Sequence, residues 1–468
     1  MDDFLREIQT SVFREWINNQ KRDYYHLHQS ETDPDAIIIE NEYCYSYVTF
    51  NPQCIIELCV MNKRTDEMAF YLHFQFKTLK HAISLFEEMD QCIKKMIDQP
   101  ICRLLLCCSG GMTTAFFADK IKNGIKVLNL NMEVAATSYQ KIYNVAQNYD
   151  VILLAPQVSY VKLQVEKVFK NKLVLKIPTQ IFASYNVGAL ITFIEESLKH
   201  KENKYNGYIE PLASMMEIKT NKNVLAVSIN ANGENSHISY RLYNSHQDIV
   251  LDSNIIKSNI KLQDVLDALD TVVLQNEMID VISIALPGVM VEGNVYSGII
   301  EGGNHQLKER LEKRYEKEIY LINDVNAAVV GYYASQNEYK SLAFLFQPIG
   351  RMAGSGIVVN GQLVRGMDHL AGEVALLPLK LSDAYLTLAN TPEGTLELVT
   401  KNIMSIIAIV APEAIVVYSD LILDSQDVSD EIKKALSQYP LKVYPQIIKV
   451  ENILEYILLG AMILSAKE

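Results

Sequence analysis

A chain of 468 residues is too long for one hydrophobic core, and its 49% hydrophobic and 21% charged residues are typical of globular domains, of which we expect about three. The formal net charge of −13, with no local basic patch, argues against non-specific nucleic-acid binding. No apolar run approaches the roughly 18 residues of a membrane helix, and no apolar signal core follows Met1-Asp2-Asp3. The odd number of cysteines, seven, is typical of reduced thiols, so a cytoplasmic location is predicted.

Residues 1–99 are predicted to form a small α+β domain whose role the sequence does not reveal. Alternating polar and apolar residues, rich in aromatic side chains, predict antiparallel strands over 43–50, 55–61 and 70–76. Apolar residues at helical spacing from Leu79 to Met96 predict a helix that ends before Pro100.

Residues 100–200 are predicted to form an α/β domain. Short apolar runs predict strands over 101–107, 127–135, 151–155 and 173–177, with helices between and after them. Strands that alternate with helices imply a parallel sheet covered on both faces. The charged run that opens residues 201–222 indicates a linker.

Residues 223–468 show a second α/β pattern. Strands are predicted over 225–229, 282–285, 318–322, 342–346, 357–359 and 414–417, and a helix is predicted over 396–411. The fold class predicted for the whole chain is therefore α/β, with a small α+β domain at the N-terminus.

The candidate catalytic residue of the middle domain is Cys108, which ends a predicted strand and opens the run Cys108-Ser109-Gly110-Gly111-Met112-Thr113-Thr114. Backbone N–H groups in a glycine-bearing turn at a helix N-terminus attract anions and favour a thiolate. Such a thiolate can accept a phosphoryl group or act as a phosphatase nucleophile. A phosphatase loop would also need an arginine, and none lies between Arg103 and Arg241. We therefore predict a phosphocysteine with residues 109–114 as its phosphate-binding loop; the alternative is an inert core thiol.

This loop resembles the one in the lactose/cellobiose-type IIB components of the sugar phosphotransferase system (PTS). The resemblance extends over 100–200 and includes a second run, Asp150-Val151-Ile152-Leu153-Leu154-Ala155-Pro156-Gln157-Val158-Ser159-Tyr160. Gly110 at an alanine-type position and Ala155 in place of glycine are mild departures. The resemblance implies that Cys108 takes phosphate from a IIA phosphohistidine and passes it to a sugar at a IIC permease.

Residues 223–468 resemble the ROK family of sugar kinases and sugar-responsive regulators, which implies an actin-like, ribonuclease-H-like fold. Three runs carry the resemblance, namely 284–288 with Pro287-Gly288, 321–328 with Asn323-Asp324, and 354–373 with Ala371-Gly372-Glu373. The resemblance implies that Asp324 removes a proton from a sugar hydroxyl and that Asn323, Asp324 and Glu373 bind the sugar. A carboxylate beside an amide at a strand end suits this role, although Asp324 could equally be a helix cap.

The nucleotide and zinc sites of that family are altered in this chain. Ser228 and Asn232 replace an aspartate and a threonine in the first phosphate loop, and Arg351 and Met352 replace a threonine and a glycine in the second. Tyr418-Ser419-Asp420 replaces the adenosine-side glycines. Side chains at these positions deny a phosphate close access to the backbone. Arg351 is interpreted as a surface residue, and the alternative is that it binds an anion such as a sugar phosphate. Leu376 stands at the zinc-binding histidine position and no cysteine follows Cys108, so no metal and no cofactor are expected.

The leading hypothesis is a PTS-linked sensor or phosphocarrier, in which a phosphocysteine domain is joined to an inactive ROK-like domain that binds a sugar or serves as a scaffold. The predicted partners are a IIA-type phosphohistidine donor, a IIC permease and a small sugar or sugar phosphate, without nucleic acid; homo-oligomer formation is left open. The alternatives are a sugar kinase with an atypical ATP site and a transcriptional regulator. The regulator ranks third because residues 1–99 read as strands without a basic face.

Overall fold

The computed structural model describes residues 3–63, 67–97, 102–109, 112–128, 130, 132–146, 149–169, 172–202, 220–232, 235–291, 294–296, 300–301, 307–367, 370–422, 424–437 and 444–467. Within them, no helix is both long and apolar enough to cross a membrane.

Residues 3–97 form an antiparallel meander of strands with a helix at each end. The elements are α1 (Asp3–Asn18), β1 (His26–Gln29), β2 (Ala36–Glu40), β3 (Cys44–Asn51), β4 (Ile55–Asn62), β5 (Glu67–Gln75) and α2 (Leu79–Ile97). The helix α2 buries the apolar stripe that the sequence predicts, including Phe86, Met89 and Ile93. The three predicted strands and the predicted helix of this segment are confirmed.

Residues 102–202 form a four-stranded parallel sheet in the order β7-β6-β8-β9 with its own hydrophobic core. The elements are β6 (Cys102–Cys108), α3 (Met112–Val127), β7 (Met132–Ser138), α4 (Ile142–Val145), β8 (Val151–Leu154), α5 (Lys162–Val168), β9 (Leu173–Lys176), α6 (Thr179–Ser184) and α7 (Val187–Glu202). Every residue of β8 is buried, as expected for a parallel strand covered on both faces. The strand predicted over 127–135 is misplaced, because α3 continues to Val127 and β7 begins only at Met132.

Residues 224–334 form the first lobe of the C-terminal part. The elements are β10 (Val224–Asn232), β11 (Asn235–Tyr243), β12 (Ile249–Lys257), β13 (Ile260–Lys261), α8 (Leu262–Gln275), β14 (Val281–Leu286), β15 (Val289–Val291), β16 (Asn294–Tyr296), β17 (Ile300–Glu301), α9 (Leu307–Tyr315), β18 (Glu318–Asn323) and α10 (Asp324–Ala334). The main strands run in the order β12-β11-β10-β14-β18, with β10, β14 and β18 parallel.

Residues 342–467 form the second lobe, whose sheet repeats this topology in the order β21-β20-β19-β22-β23. The elements are β19 (Leu342–Phe346), β20 (Gly354–Val359), β21 (Gln362–Leu363), α11 (Tyr385–Leu388), α12 (Pro392–Ile409), β22 (Ala414–Tyr418), α13 (Ser425–Leu436), β23 (Gln446–Lys449) and α14 (Leu454–Lys467). In both lobes the first three main strands are antiparallel and the last two join in parallel. The C-terminal part is therefore a pair of lobes with one shared topology.

The N-terminal segment continues the sheet of the first lobe. Strand β5 pairs antiparallel with β12 at Tyr71 and Ile256, so β1 to β5 and the five first-lobe strands form one ten-stranded sheet. Buried side chains from both parts share one hydrophobic core. The middle domain is thus inserted between two stretches of chain that fold together.

The two lobes are tied by a pair of crossing helices. Helix α10 follows the last strand of the first lobe yet packs on β19 and β20 of the second, and α14 packs on β10, β11 and β14 of the first. The helices meet at Gly331 and Gly460, where an added Cβ would lie 1.9 Å from the Tyr456 carbonyl oxygen and 1.8 Å from that of Ala327. Only glycine allows this approach.

The predicted α/β fold class is confirmed by these sheets. The predicted domain limits at 99/100, 200/201 and 222/223 stay a prediction. The structure shows in addition that the N-terminal segment and the first lobe share one continuous sheet.

Candidate functional site

The cleft between the two lobes holds the amide that the sequence singles out. Asn323 ends the parallel strand β18 and caps α10, because its Oδ1 accepts hydrogen bonds from the backbone N–H groups of Val325 (3.1 Å) and Asn326 (3.0 Å). Its Nδ2 donates to the carbonyl oxygen of Gly288 at 3.2 Å and so fixes the Pro287-Gly288 turn beside it. The helix-capping role considered for Asp324 belongs to Asn323.

Asp324 is almost completely buried, with 2% of its surface exposed. Its Oδ1 accepts a hydrogen bond from the Val325 N–H at 2.9 Å. Burial, together with the nearby negative charge of Glu373, raises the pKa of Asp324 to about 7. A carboxyl group with a pKa near neutrality can accept and release a proton under ordinary conditions, which is what a general base requires.

Glu373 reaches the same site from the second lobe. It follows Gly372, which has φ +91° and whose added Cβ would lie 1.9 Å from the Ser355 carbonyl oxygen. The Ser355 N–H donates to the Gly372 carbonyl oxygen at 3.0 Å, so the loop is held against β20. Burial raises the pKa of Glu373 as well.

These residues surround one cavity of about 400 Å³, which is within the range of small-molecule sites. Its wall comes from both lobes and consists of Asn230, Ala231, Pro287, Gly288, Asn323, Asp324, Val325, Phe346, Pro348, Gly350, Arg351, Met352, Ala353, Gly354, Ser355, Glu373, Ala375 and Leu386. The structure therefore brings together the three residues predicted to bind a sugar.

Parts of both predicted phosphate loops border the same cavity. Asn230 lines it from β10, and Gly350 to Ser355 line it from the second loop. Arg351 is half-buried and forms part of the wall. Met352 is 45% exposed and lies where the family has a bare glycine. Behind them, Tyr418 and Ser419 are buried at the end of β22.

Two polar atoms of the cavity wall have no partner among the described residues. They are Oδ1 of Asn230 and Oγ of Ser355, in residues that are 6% and 4% exposed. A buried polar atom without a hydrogen bond is unfavourable unless a ligand or water supplies one. The sequence did not single out either atom, because only the fold brings β10 and β20 to one cavity.

The second site is the carboxyl end of β6, where Cys108 is the last strand residue and is 4% exposed. Cys108 pairs with Ser138 of β7, and β8 lies on the other side of β6. A ligand site is common where neighbouring strands of an open α/β sheet connect in opposite directions. The helix α3 begins at Met112, four positions after the cysteine.

Most of the predicted phosphate-binding loop cannot be compared with the structure. Gly110 and Gly111 lie outside the described residues, as do the side chains of Met112, Thr113 and Thr114. Ser109 is exposed directly after β6. Burial raises the pKa of the neighbouring Cys107 to about 12, which suits the core thiol that the sequence indicates at that position.

No group of three histidine, cysteine or acidic side chains suited to a metal ion occurs in the part of the chain that the structure describes. Leu376, at the position of the family's zinc-binding histidine, is 73% exposed.

Two segments of the chain match models of known protein families. Residues 103–192 match the model of the "PTS system, Lactose/Cellobiose specific IIB subunit", and residues 233–394 match the model of the ROK family. Curated proteins give no significant match.

Solved structures similar to the chain come from the same families. A ROK family glucokinase from Streptomyces griseus, in complex with glucose and AMPPNP, is 16% identical, covers 53% of this chain and 100% of its own, and has a TM-score of 0.41. A ROK family protein from Streptococcus pneumoniae in complex with sucrose is 18% identical, with coverages of 52% and 98% and a TM-score of 0.41. The lactose-specific IIB component domain from Streptococcus pneumoniae is 20% identical, with coverages of 20% and 96% and a TM-score of 0.20. The chain thus contains one segment similar to lactose/cellobiose-type IIB subunits and one similar to ROK-family proteins, as predicted.

Proposed function

We propose that this fusion of a IIB domain and a ROK domain is a PTS-linked phosphocarrier and sensor that acts in the cytoplasm. In this proposal Cys108 carries a phosphoryl group, and the ROK cleft binds a sugar or sugar phosphate without using ATP. The observation that carries the phosphocarrier part is the position of Cys108 at the carboxyl end of β6, four positions before the start of α3, inside the region that matches the IIB model.

The transfer step follows from the chemistry of the donor. The Cys108 thiolate attacks the phosphorus of a IIA phosphohistidine, the S–P bond forms, and the P–N bond breaks as the electron pair returns to the imidazole. Backbone N–H groups at the start of α3 would stabilise the phosphoryl oxygens, because a helix N-terminus attracts negative charge. A IIC permease or another sugar acceptor would complete the transfer.

The proposal that the cleft binds a sugar without using ATP rests on which of its residues match the ROK family and which do not. Asn323, Asp324 and Glu373 are retained around the cavity, whereas Arg351 and Met352 place side chains where a polyphosphate would approach the backbone. A polar cluster in a partly apolar cleft is unfavourable to bury unless something satisfies it. This combination favours a site that binds a sugar-like ligand and excludes ATP.

Phosphorylation can be tested with purified enzyme I, HPr, candidate IIA proteins and phosphoenolpyruvate, followed by intact-protein mass spectrometry. We expect a mass gain of one phosphoryl group in the wild type and none in Cys108→Ser. A matched control is Cys107→Ser, which should still be labelled because Cys107 is a buried core thiol. Label that survives in Cys108→Ser would contradict the assignment.

The second candidate function is a sugar kinase with an atypical ATP site, and the observation in its favour is Asp324 with its pKa of about 7. Calorimetric titration with Mg-ATP separates the two. Micromolar affinity, together with sugar phosphorylation that disappears in Asp324→Asn, would favour the kinase.

A further inference from the structure

We infer that the ROK cleft is built for a sugar phosphate, with Arg351 binding the phosphate and Asn323, Asp324 and Glu373 binding the sugar hydroxyls. This inference rests on the proposed sugar-binding role of the cleft and names the chemical class of its ligand. It also assigns a role to Arg351.

The loop that carries Arg351 is held in place on both sides. Gln347 Nε2 donates to the Arg351 carbonyl oxygen at 2.9 Å, and the Ala353 N–H donates to the Tyr385 hydroxyl at 3.1 Å. The Tyr385 hydroxyl in turn donates to Gln347 Oε1 at 2.8 Å, which closes a small network beneath the loop. A side chain presented by a fixed loop loses little further freedom when a ligand binds.

The guanidinium group of Arg351 is available to a ligand. It forms no hydrogen bond or ion pair with any of the residues that the structure describes, although it is half-buried and lines the cavity. Arginine presents a planar fork of N–H donors that matches phosphate geometry, and hydrogen bonds between charged groups are stronger than neutral ones. Apolar neighbours such as Phe346, Pro348 and Leu386 reduce screening by water.

The carboxylates of the cleft do not neutralise Arg351. Burial and mutual repulsion raise the pKa of Asp324, and the arginine is not among the groups that alter it. The cavity wall therefore carries two kinds of group, namely carboxyl and amide groups suited to hydroxyls, and a cation without an ion-pair partner among the described residues. A sugar phosphate offers a partner to each kind.

The unpartnered polar atoms support a ligand in this position. The Asn230 amide lies 3.5 Å from Ser228 Oγ at one end and has no partner among the described residues at the other. Since the two ends of an amide can exchange by a flip, the free end can accept from a hydroxyl or donate to a phosphate oxygen. Ser355 Oγ offers a second donor or acceptor.

The test is calorimetric titration of the full chain with the 6-phosphates of glucose, galactose, mannose and N-acetylglucosamine, the four free sugars, and inorganic phosphate. We expect at least one sugar phosphate to bind tenfold or more tightly than its free sugar. Arg351→Ala should weaken the binding of that sugar phosphate by about 10- to 100-fold, which is the range expected for the loss of a hydrogen bond to a charged group. Affinity for the free sugar should not change.

Two further variants serve as controls. Arg351→Lys keeps the charge without the fork and should lose only part of the affinity, and Arg310→Ala removes an exposed arginine of α9 and should lose none. The inference is overturned if no sugar phosphate binds more tightly than its free sugar, if Arg351→Ala keeps the difference, or if inorganic phosphate binds equally well. Labelling of Cys108 in the same preparation tests the phosphocarrier proposal separately. If the free sugars bind and the sugar phosphates bind no more tightly, this inference is overturned while the proposed sugar-binding role stands.

Discussion

At the scale of single residues, Asp324 is a group whose burial lowers the stability of the fold. Its carboxyl group is buried and accepts a hydrogen bond from the Val325 N–H, and the charged group that raises its pKa, Glu373, is also acidic. An ionised carboxylate in such surroundings is unfavourable. Sites that bind or transform ligands often contain groups of this kind.

Replacing Asp324 with asparagine should therefore stabilise the protein in a pH-dependent manner. The pKa rises from 3.8 for an ordinary aspartate to about 7 in the folded chain, so between these values the folded state binds more protons than the unfolded state. The stability that this group contributes is full below pH 4 and is lost as the pH rises through 7. Urea unfolding at pH 4 to 8 measures the free energy of unfolding of Asp324→Asn and of the wild type. The difference in favour of Asp324→Asn should grow as the pH rises, by up to about 1.4 kcal/mol per unit of pKa difference.

The matched control for this measurement is Asp427→Asn, since Asp427 is an exposed aspartate of α13. Its effect on the free energy of unfolding should be small and nearly constant over the same pH range. Equal stability of Asp324→Asn and wild type at pH 8 would contradict the raised pKa.

Residue identities within motifs could be predicted, whereas the composition of the cavity wall could not. Asn323, Asp324 and Glu373 were recognisable because each lies in a run that resembles a known family. Arg351 and Asn230 belong to runs that depart from that family, and each has a side chain that is ordinary in isolation. They become parts of one cavity wall only when β10 and the loop before β20 come together in the fold.

At the scale of elements, the join between the N-terminal segment and the first lobe is stabilised by charge as well as by the shared sheet. Lys257, at the end of β12, is 2% exposed, and its Nζ lies 2.6 Å from both Glu88 of α2 and Asp264 of α8. Lys77 makes the same kind of bridge from the N-terminal segment to Asp267 and Asp270 of α8, each at 2.6 Å.

Lys257→Met should destabilise this join strongly. The substitution keeps the length and apolar contacts of the side chain but removes the buried cation that Glu88 and Asp264 share, a change that typically costs about 3–5 kcal/mol when the pair is buried. Chemical denaturation of the full chain measures the loss. Lys261→Met is the matched control because Lys261 pairs with the same Glu88 but is half-exposed, so its loss should stay below about 1 kcal/mol. Similar losses in the two variants would contradict a buried, structural ion pair at Lys257.

These charged residues also explain why β11 and β12 were not predicted. Arg241 lies inside β11 and Lys257 ends β12, and a charge within a strand obscures the alternation by which strands are recognised. Both are buried because distant acidic residues neutralise them, and Arg241 pairs with Glu455 of α14 at 2.8 Å. The pairing of β5 with β12 is equally non-local, whereas β8 and β19 were predicted closely from their own apolar residues.

At the scale of the whole molecule, the IIB domain and the cleft are attached to the same framework. The IIB domain leaves the body after α2 and returns before β10, and both elements belong to the unit built on the ten-stranded sheet. Helix α2 is linked to α8 through Lys257, which pairs with Glu88 of α2 and Asp264 of α8, and β10 carries Asn230 into the cavity wall. Strand β10, which follows the IIB-like domain in the chain, thus borders the cleft directly, and α2, which precedes that domain, belongs to the same sheet unit.

We therefore predict that phosphorylation of Cys108 changes the affinity of the cleft for its sugar phosphate. A useful coupling free energy is about 1–3 kcal/mol, which corresponds to roughly a 5- to 150-fold change in affinity. Titration of the phosphorylated wild type, the unphosphorylated wild type and Cys108→Ser with the same hexose 6-phosphate measures this change. Cys108→Ser should match the unphosphorylated wild type even after treatment with the phosphoryl donors, because it has no thiol to modify.

Reciprocity gives this prediction a second, independent measurement. If the phosphorylated and unphosphorylated forms bind the sugar phosphate differently, the sugar phosphate must shift the phosphotransfer equilibrium between IIA and Cys108 by the same factor. Arg351→Ala should abolish that shift while leaving phosphorylation itself intact, since Arg351 lies in the cleft and not in the IIB domain. Identical affinities in both forms, with an unshifted equilibrium, would mean that the two domains share a chain without communicating, and the ROK domain would then act as a scaffold.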